Sequence, residues 1–211
     1  IDSIKKRIST PITRFAPSPT GFLHLGHVAH MIYLWGIARS AGSQILLRME
    51  DHDRTRCKPV FEDTIFDDLK WLGLDWDNRS FGIRCESTPF RQSNCIDLYE
   101  HLLSELSKKG LTYFCKCSRK DIQQKMNTLP KEFTEQFYSG TCRTSKLEDS
   151  KNHGIRVTLD KSVYEFEDLY LGVQAQAPAD QCGDSLIKDR NGNFTYQFAV
   201  VADDLRHQVN L

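Results

Sequence analysis

Two histidines and a glycine close a proline-rich loop, Arg14-Phe-Ala-Pro-Ser-Pro-Thr-Gly21-Phe-Leu-His24-Leu-Gly26-His27. Imidazoles donate to phosphate oxygens, and a glycine between them lets the backbone approach a nucleotide closely. Where such a loop joins a strand to a helix, the free amides and partial positive charge of the helix start serve the same anion. When pyrophosphate leaves a nucleoside triphosphate, charge builds on its oxygens. Donors held there stabilise the transition state more than the ground state. Taken alone, the same residues also describe a rigid turn with two surface histidines.

A second cluster is Cys115-Lys-Cys117 with Cys142. Three thiolates suit a tetrahedral Zn²⁺ and call for a fourth ligand; buried free thiols are the alternative. The chain has seven cysteines, at 57, 85, 95, 115, 117, 142 and 182. An odd, uneven set argues against a disulfide framework, and the polar, basic stretch Ile1–Thr10 is not expected to act as a secretory leader. A reducing cytoplasm is the expected compartment. Glu50 ends an apolar run that also holds Arg48, a neighbouring residue with which it could pair.

The elements that must position these groups follow from periodicity. Ile12–Ala16 reads as a short strand ahead of the proline loop. A helix follows Gly26, with Ala29, Ile32, Trp35 and Gly36 at helical spacing, and Ala41-Gly42 ends it. Ile45–Met49 is a continuous apolar run suited to a buried parallel strand. Strand, loop, helix, strand is the βαβ unit of a doubly wound sheet, which binds ligands outside the carboxyl ends of its strands. Phe61, Ile65, Leu69 and Leu72 mark an amphipathic helix closed by Gly73. Ile96, Tyr99, Leu103 and Leu106 mark another, closed by Gly110. Ile155–Leu159 and Tyr164–Phe166 alternate like strands. Leu186–Lys188 and Phe194 flank Asn191-Gly192, a hairpin signal. Tyr196–Ala202 is apolar and runs into Asp203-Asp204. No closing element precedes Leu211, as expected of a piece of a longer chain.

The 211 residues carry 28 basic and 28 acidic side chains, with 39% apolar, 27% charged and 10% aromatic. This composition fits a globular domain with a substantial core and excludes disorder and collagen. No apolar run approaches the ~20 residues of a membrane helix. Zero net charge excludes nucleic-acid binding by global charge and leaves local patches at Lys5–Arg7, Lys116–Lys120 and Arg143–Lys146.

Arg14–His27 resembles the signature of class I aminoacyl-tRNA synthetases, in their glutamyl branch. Met49-Glu50-Asp51-His52-Asp53 is similar to the Glu-Asp-x-Asp segment of that branch, and Phe198–Asp204 to its apolar run ending in paired aspartates. The resemblance covers nearly the whole chain. It implies an α/β fold: a Rossmann-like class I synthetase catalytic domain with an inserted zinc-bearing α+β subdomain. Residues 1–110 would open the catalytic domain, 111–183 form the insertion near the tRNA acceptor end, and 184–211 return to the catalytic domain.

The resemblance also implies roles. Residues matching Arg14, Ala16 and Ser18 contact the glutamate substrate, Glu50 its α-ammonium, and Tyr196 the amino acid. A guanidinium suits that task, since it forks onto a carboxylate. His24, Gly26 and His27 serve ATP, which is used with Mg²⁺. A further arginine and a Lys-Met-Ser-Lys-Ser-like loop belong beyond Leu211. The implied reaction is attack of the glutamate α-carboxylate on the α-phosphorus of ATP, then transfer to an RNA hydroxyl.

Cys115, Cys117, Tyr138 and Cys142 match a zinc site of a short relative in which a tyrosine is the fourth ligand. Thr144 stands where other zinc-bearing members place theirs, and His153 is a substitute. The implied Zn²⁺ is structural. Lys116, Arg119 and Lys120 then either meet tRNA phosphates or are plain surface charge.

Within the branch, the tyrosine-bearing ligand set, Asp53–Pro59, Asp67–Trp76, Gly183-Asp184 and Tyr196-Gln197 resemble the short glutamyl-Q synthetases. These lack an anticodon-binding domain and attach glutamate to queuosine in tRNA(Asp). Conventional enzymes charging tRNA(Glu) are the alternative, and Ala202 and Leu205–Val209 are typical of neither. The partners implied are L-glutamate, ATP and tRNA, with no membrane and a monomeric protein. A non-catalytic binding module is the reading from another class; retention of Arg14, His24, Gly26, His27 and Glu50 opposes it.

Overall fold

The computed structural model describes residues 4, 8–78, 88–126, 137–145, 147 and 152–211. Lys5–Arg7, Cys85 and Lys146 lie outside the described residues. The chain divides into two compact units, Ile1–Glu100 with Ala199–Leu211, and His101–Phe198.

The first unit starts with strand β1 (Ile12–Phe15), helix α1 (Leu25–Ala41) and strand β2 (Gln44–Leu47). β1 and β2 pair in parallel, with Ile12 beside Gln44 and Phe15 beside Leu47. This is the βαβ unit expected from the apolar runs. Gly42 ends α1 in the left-handed region, φ 73°, and its amide reaches the Ala38 and Arg39 carbonyls. Only glycine adopts that conformation without strain.

The outer edge of β2 is satisfied by side chains. Asn78 Oδ1 accepts from Leu47 N and its Nδ2 donates to Leu47 O, both at 2.9 Å. Asp77 Oδ2 accepts from Ile45 N at 2.6 Å. Buried strand amides require such partners. Further along, Met49 bridges Arg91 in parallel. Helix α2 (Pro59–Trp71) packs Ile65 and Leu69 into the core, as their spacing predicts.

The rotation of α1 differs from the expectation. Its buried residues are Met31, Trp35, Ala38 and Ala41, whereas Ala29 and Gly36 are exposed and Ile32 is 62% exposed. Trp35 fixes the rotation: its ring meets Phe15 edge-on at 5.5 Å, and its Nε1 donates to Asp75 O. Met31, four positions before Trp35, and Ala38, three after it, then face inward.

Helix α3 (Ile96–Lys108) leads toward the second unit, where β3 (Thr112–Cys115), β4 (Gly154–Val157) and β7 (Leu186–Lys188) form an antiparallel sheet in the order β3-β4-β7. Helix α4 is Arg119–Met126, and β5 (Tyr164–Asp168) pairs with β6 (Gly172–Gln176) as a separate hairpin. A short helix, α5, spans Pro178–Gln181. β3 and β6 were not expected: β3 is a short run without alternation, and β6 opens on glycine and holds alanine, both depleted in strands. Asn191-Gly192 forms its turn, with Gly192 at φ 85° and Asp189 N bonded to Asn193 O at 2.8 Å. Phe194 makes one bridge to Lys188, and the chain enters helix α6 (Tyr196–Arg206) at once. No described helix is long and apolar enough to cross a membrane.

Candidate active site and metal centre

The proline loop leaves β1 and delivers His24 as the N-cap of α1. His24 Nδ1 accepts from Gly26 N at 3.1 Å, and His27 Nδ1 accepts from His24 N at 3.1 Å. The two imidazoles thus form a reciprocal capping box, a task more often done by Ser/Thr and Glu. Each Nδ1 is an acceptor, so each neutral ring carries its proton on Nε2. Burial lowers the His27 pKa, and the nearby His24 and His30 lower it further. The helix start therefore holds two Nε2–H donors, their rings 3.9 Å apart.

Gly26 is required for this arrangement. A Cβ there would lie 2.9 Å from His24 Cε1 and 3.1 Å from Nδ1, inside the space of the capping ring.

Arg14, at the end of β1, and Glu50, just past β2, belong to one polar network. Glu50 N donates to Pro17 O at 3.0 Å, which lays Ala16–Ser18 beside the Arg48–Glu50 strand end. Ser18 is exposed and Ala16 half-buried. Arg14 forks onto Asp204, Nε to Oδ1 at 3.1 Å and Nη2 to Oδ2 at 3.2 Å. Arg48 is fully buried. Its Nη1 donates to Asp204 Oδ1 at 2.6 Å, its Nη2 to Glu50 Oε1 at 2.9 Å, and its Nε faces Asp203 Oδ2 at 3.8 Å. Of the two partners considered for Glu50, the structure places Arg48 against it.

Asp203 is also buried, and takes Tyr99 OH at 2.9 Å, Gln92 Nε2 at 3.0 Å and Arg206 Nη2 at 2.7 Å. Such groups persist inside a protein because each charge is paired and hydrogen-bonded. Burial raises the Glu50 pKa against the opposing pull of Arg48, Arg14 and His52. Burial also opposes ionisation of Asp204, but Arg14 and Arg48 outweigh it and hold that carboxyl low. Tyr196 opens α6 within the second unit and is 54% exposed. Gln92, Tyr99 and Arg206 were missed by the sequence reading. Their only signal was a charged Arg48 inside an apolar strand.

In the second unit, β3 ends on Cys115, and Cys117 lies two residues on. The sulfur atoms of Cys115, Cys117 and Cys142 all lie within 4.8 Å of one another, and Cys117 and Cys142 are 3.6 Å apart. Tyr138 OH sits against them, 3.3 Å from Cys115 Sγ and 3.8 Å from Cys117 Sγ, and accepts from Cys142 N at 3.0 Å. A tetrahedral zinc with Zn–S bonds of about 2.3 Å has S···S edges of about 3.8 Å, so these donors fit that ion. His153 does not join the group of close ligand atoms. Burial pushes Cys117 up to about 11. Burial also opposes ionisation of Cys142, yet hydrogen bonds from Tyr138, the Lys116 backbone and the other thiols bring it down to about 7.

A buried scaffold supports the cluster. Asp184 takes Tyr113 OH at 2.7 Å, Arg143 Nε at 2.8 Å and Leu159 N at 2.9 Å. Arg156 donates to Asp184 O at 2.7 Å and to Cys115 Sγ at 3.3 Å, with its guanidinium 3.6 Å above the Tyr138 ring. Gly183 has φ 66°, and a Cβ there would overlap the Tyr138 carbonyl oxygen. Arg143 is thus engaged with Asp184 while its side chain stays 44% exposed. Lys116, Arg119 and Lys120 are exposed.

Residues 12–210 match the family described as tRNA synthetases class I (E and Q), catalytic domain. A glutamate–tRNA ligase of Anaeromyxobacter sp. (strain K) is 36% identical over 202 residues, covering 95% of this chain and 42% of that protein. A glutamyl-Q tRNA(Asp) synthetase of Nitratidesulfovibrio vulgaris is 37% identical over 201 residues, covering 91% of this chain and 61% of that protein. The crystal structure of a glutamate tRNA ligase from Elizabethkingia meningosepticum in complex with its amino acid shares the fold, with a TM-score of 0.74 at 24% identity over 95% of this chain and 43% of that one. The chain therefore spans less than two thirds of each of these proteins.

Proposed function

The chain belongs to the class I tRNA synthetases of the glutamate and glutamine group, and from that premise we propose that it activates L-glutamate with ATP and passes it to a tRNA. The observation that carries this reading is the imidazole pair at the start of α1, with both Nδ1 atoms used inside the protein. Their Nε2–H groups meet the phosphate oxygens of ATP, and the helix start adds its partial positive charge. Gly26 leaves room for the nucleotide. Arg14 takes the side-chain carboxylate of glutamate, Glu50 its α-ammonium, and Ala16 and Ser18 line the same strand end. The resemblance alone assigns Tyr196 to the amino acid.

Glutamate's α-carboxylate attacks the α-phosphorus in line, the bond to the bridging oxygen breaks, and pyrophosphate leaves; Mg²⁺ brought with ATP would offset part of its charge. The protein supplies alignment and charge stabilisation. An RNA hydroxyl then attacks the adenylate carbonyl and releases AMP.

Residues 111–183 are assigned to an insertion approaching the tRNA. Cys115, Cys117, Tyr138 and Cys142 would hold a Zn²⁺ there, which when bound cross-links β3 to the Cys142 turn. With all four positions filled by protein, the ion is structural.

The acceptor we favour is queuosine of tRNA(Asp), because Tyr138 stands at the fourth ligand position and Gly183-Asp184 supports it. Charging of tRNA(Glu) is the second reading, supported by a glutamate–tRNA ligase whose 36% identity is on a par with the 37% of the glutamyl-Q enzyme. Transfer of labelled glutamate by the full-length protein decides between them. The first reading expects ATP–pyrophosphate exchange without tRNA and transfer to queuosine-containing tRNA(Asp). Exchange that requires tRNA(Glu), with transfer to it, overturns that choice. The cytoplasm is the proposed compartment, and the proposed state is a monomer.

A further inference from the structure

Arg14 reaches Asp204 through one edge of its guanidinium, the Nε/Nη2 edge. Among the described residues its opposite edge, Nη1 with the second Nη2 proton, has no protein partner, and the side chain is 30% exposed. A guanidinium has two such forks, and each can take a carboxylate. Asp204 is in turn held at 2.6 Å by Arg48, which also holds Glu50 at 2.9 Å. The proposed carboxylate reader and ammonium reader are thereby joined through two residues, Asp204 and Arg48.

We propose that Asp204 is a positioning residue for substrate recognition: it clamps the inner edge of Arg14 so that the outer edge meets the carboxylate of glutamate in fixed register with Glu50. The inference rests on the proposed glutamate-activating function and deepens it.

Asp204 also resembles a substrate carboxylate already in place, which raises the opposite role of an internal competitor. Two observations oppose that role. Asp204 uses the inner fork and leaves the outer one open. It also cannot swing away without stripping a partner from a guanidinium that is 0% exposed, a costly change. Charge balance gives the two roles different signatures. Arg14, Arg48 and Arg206 face Glu50, Asp203 and Asp204, three cations against three anions. If net charge governed affinity, removing Asp204's charge would tighten glutamate binding. If fork geometry governs it, the same change weakens binding and blurs the distinction from glutamine.

The test is titration of full-length protein with L-glutamate, L-glutamine and ATP, comparing wild type, Asp204→Asn and Asp204→Glu. Asp204→Asn should bind glutamate about tenfold more weakly, the scale of a displaced charge-assisted fork. Its glutamate-to-glutamine preference should collapse, and ATP affinity should stay within about twofold. Asp204→Glu keeps the charge and both guanidinium partners and moves the carboxylate by one methylene. It should fold normally and lose several-fold in glutamate affinity. Unchanged or tighter glutamate binding in both variants, with the preference intact, overturns the positioning role while leaving the function standing. A wild type with no preference for glutamate overturns the functional reading and the inference together.

Discussion

Gly183→Ala tests how closely the Cys115, Cys117 and Cys142 cluster depends on one backbone contact. Gly183 sits at φ 66°, where alanine costs about 1–2 kcal/mol. Its new Cβ would overlap Tyr138 O and lie 2.8 Å from Tyr138 C. Carbonyl and methyl cannot approach so closely, so the Tyr138 backbone must move. That movement breaks the Tyr138 N to Cys182 O bond of 2.9 Å, worth about 1 kcal/mol. It also draws the phenol away from Cys115 and Cys142. The total is about 3 kcal/mol, a fall of about 12 °C in melting temperature for a unit of roughly a hundred residues. Gly172→Ala is the control. Gly172 has φ 74°, and a Cβ added there would meet nothing within 4 Å, so this variant carries the conformational cost alone. Thermal unfolding and competition with a zinc chelator measure both effects. Zinc affinity should fall about tenfold or more in Gly183→Ala and hold in Gly172→Ala. Equal melting shifts in the two variants, with zinc retained in both, would refute the reasoning.

Other consequences follow from single contacts. Gly26→Ala displaces the His24 ring, so ATP-dependent activity should fall about a hundredfold while melting shifts by only a few degrees; pyrophosphate exchange and calorimetry measure the two. Cys142→Ser should lower zinc content, determined by metal analysis, from about one per chain to near zero. His207 is half-buried and stacked on Phe90, and burial with the adjacent Arg206 lowers its pKa from 6.5 to about 4. The unfolded chain then binds the extra proton between those values, so stability falls as pH drops from about 6.5 toward 4. Denaturant unfolding should show this slope, and His207→Phe should lack it.

Much of the first unit was legible because its signals are local. The βαβ unit follows from an apolar run, a glycine stop and a proline loop in immediate sequence. The imidazole pair was legible too, since its partners lie within three residues. Contacts between distant segments were not. Tyr99 and Gln92 meet Asp203 across more than a hundred residues, and no periodicity encodes that meeting. The rotation of α1 escaped for a related reason: Trp35 is fixed by Phe15 and Asp75, outside the helix. In the second unit the three cysteines were visible as a cluster. The buried Asp184 that ties Tyr113, Arg143 and Arg156 together was visible only as half of a dipeptide.

The central claim is that this chain carries a glutamate-activating site. The most direct test is incorporation of labelled pyrophosphate into ATP by the full-length protein, with glutamate, glutamine or aspartate supplied separately, alongside Arg14→Ala. The expected result is exchange driven by glutamate, weak or absent with the other two, and lost in Arg14→Ala. Exchange that is indifferent to the amino acid, or that survives Arg14→Ala unchanged, would contradict it.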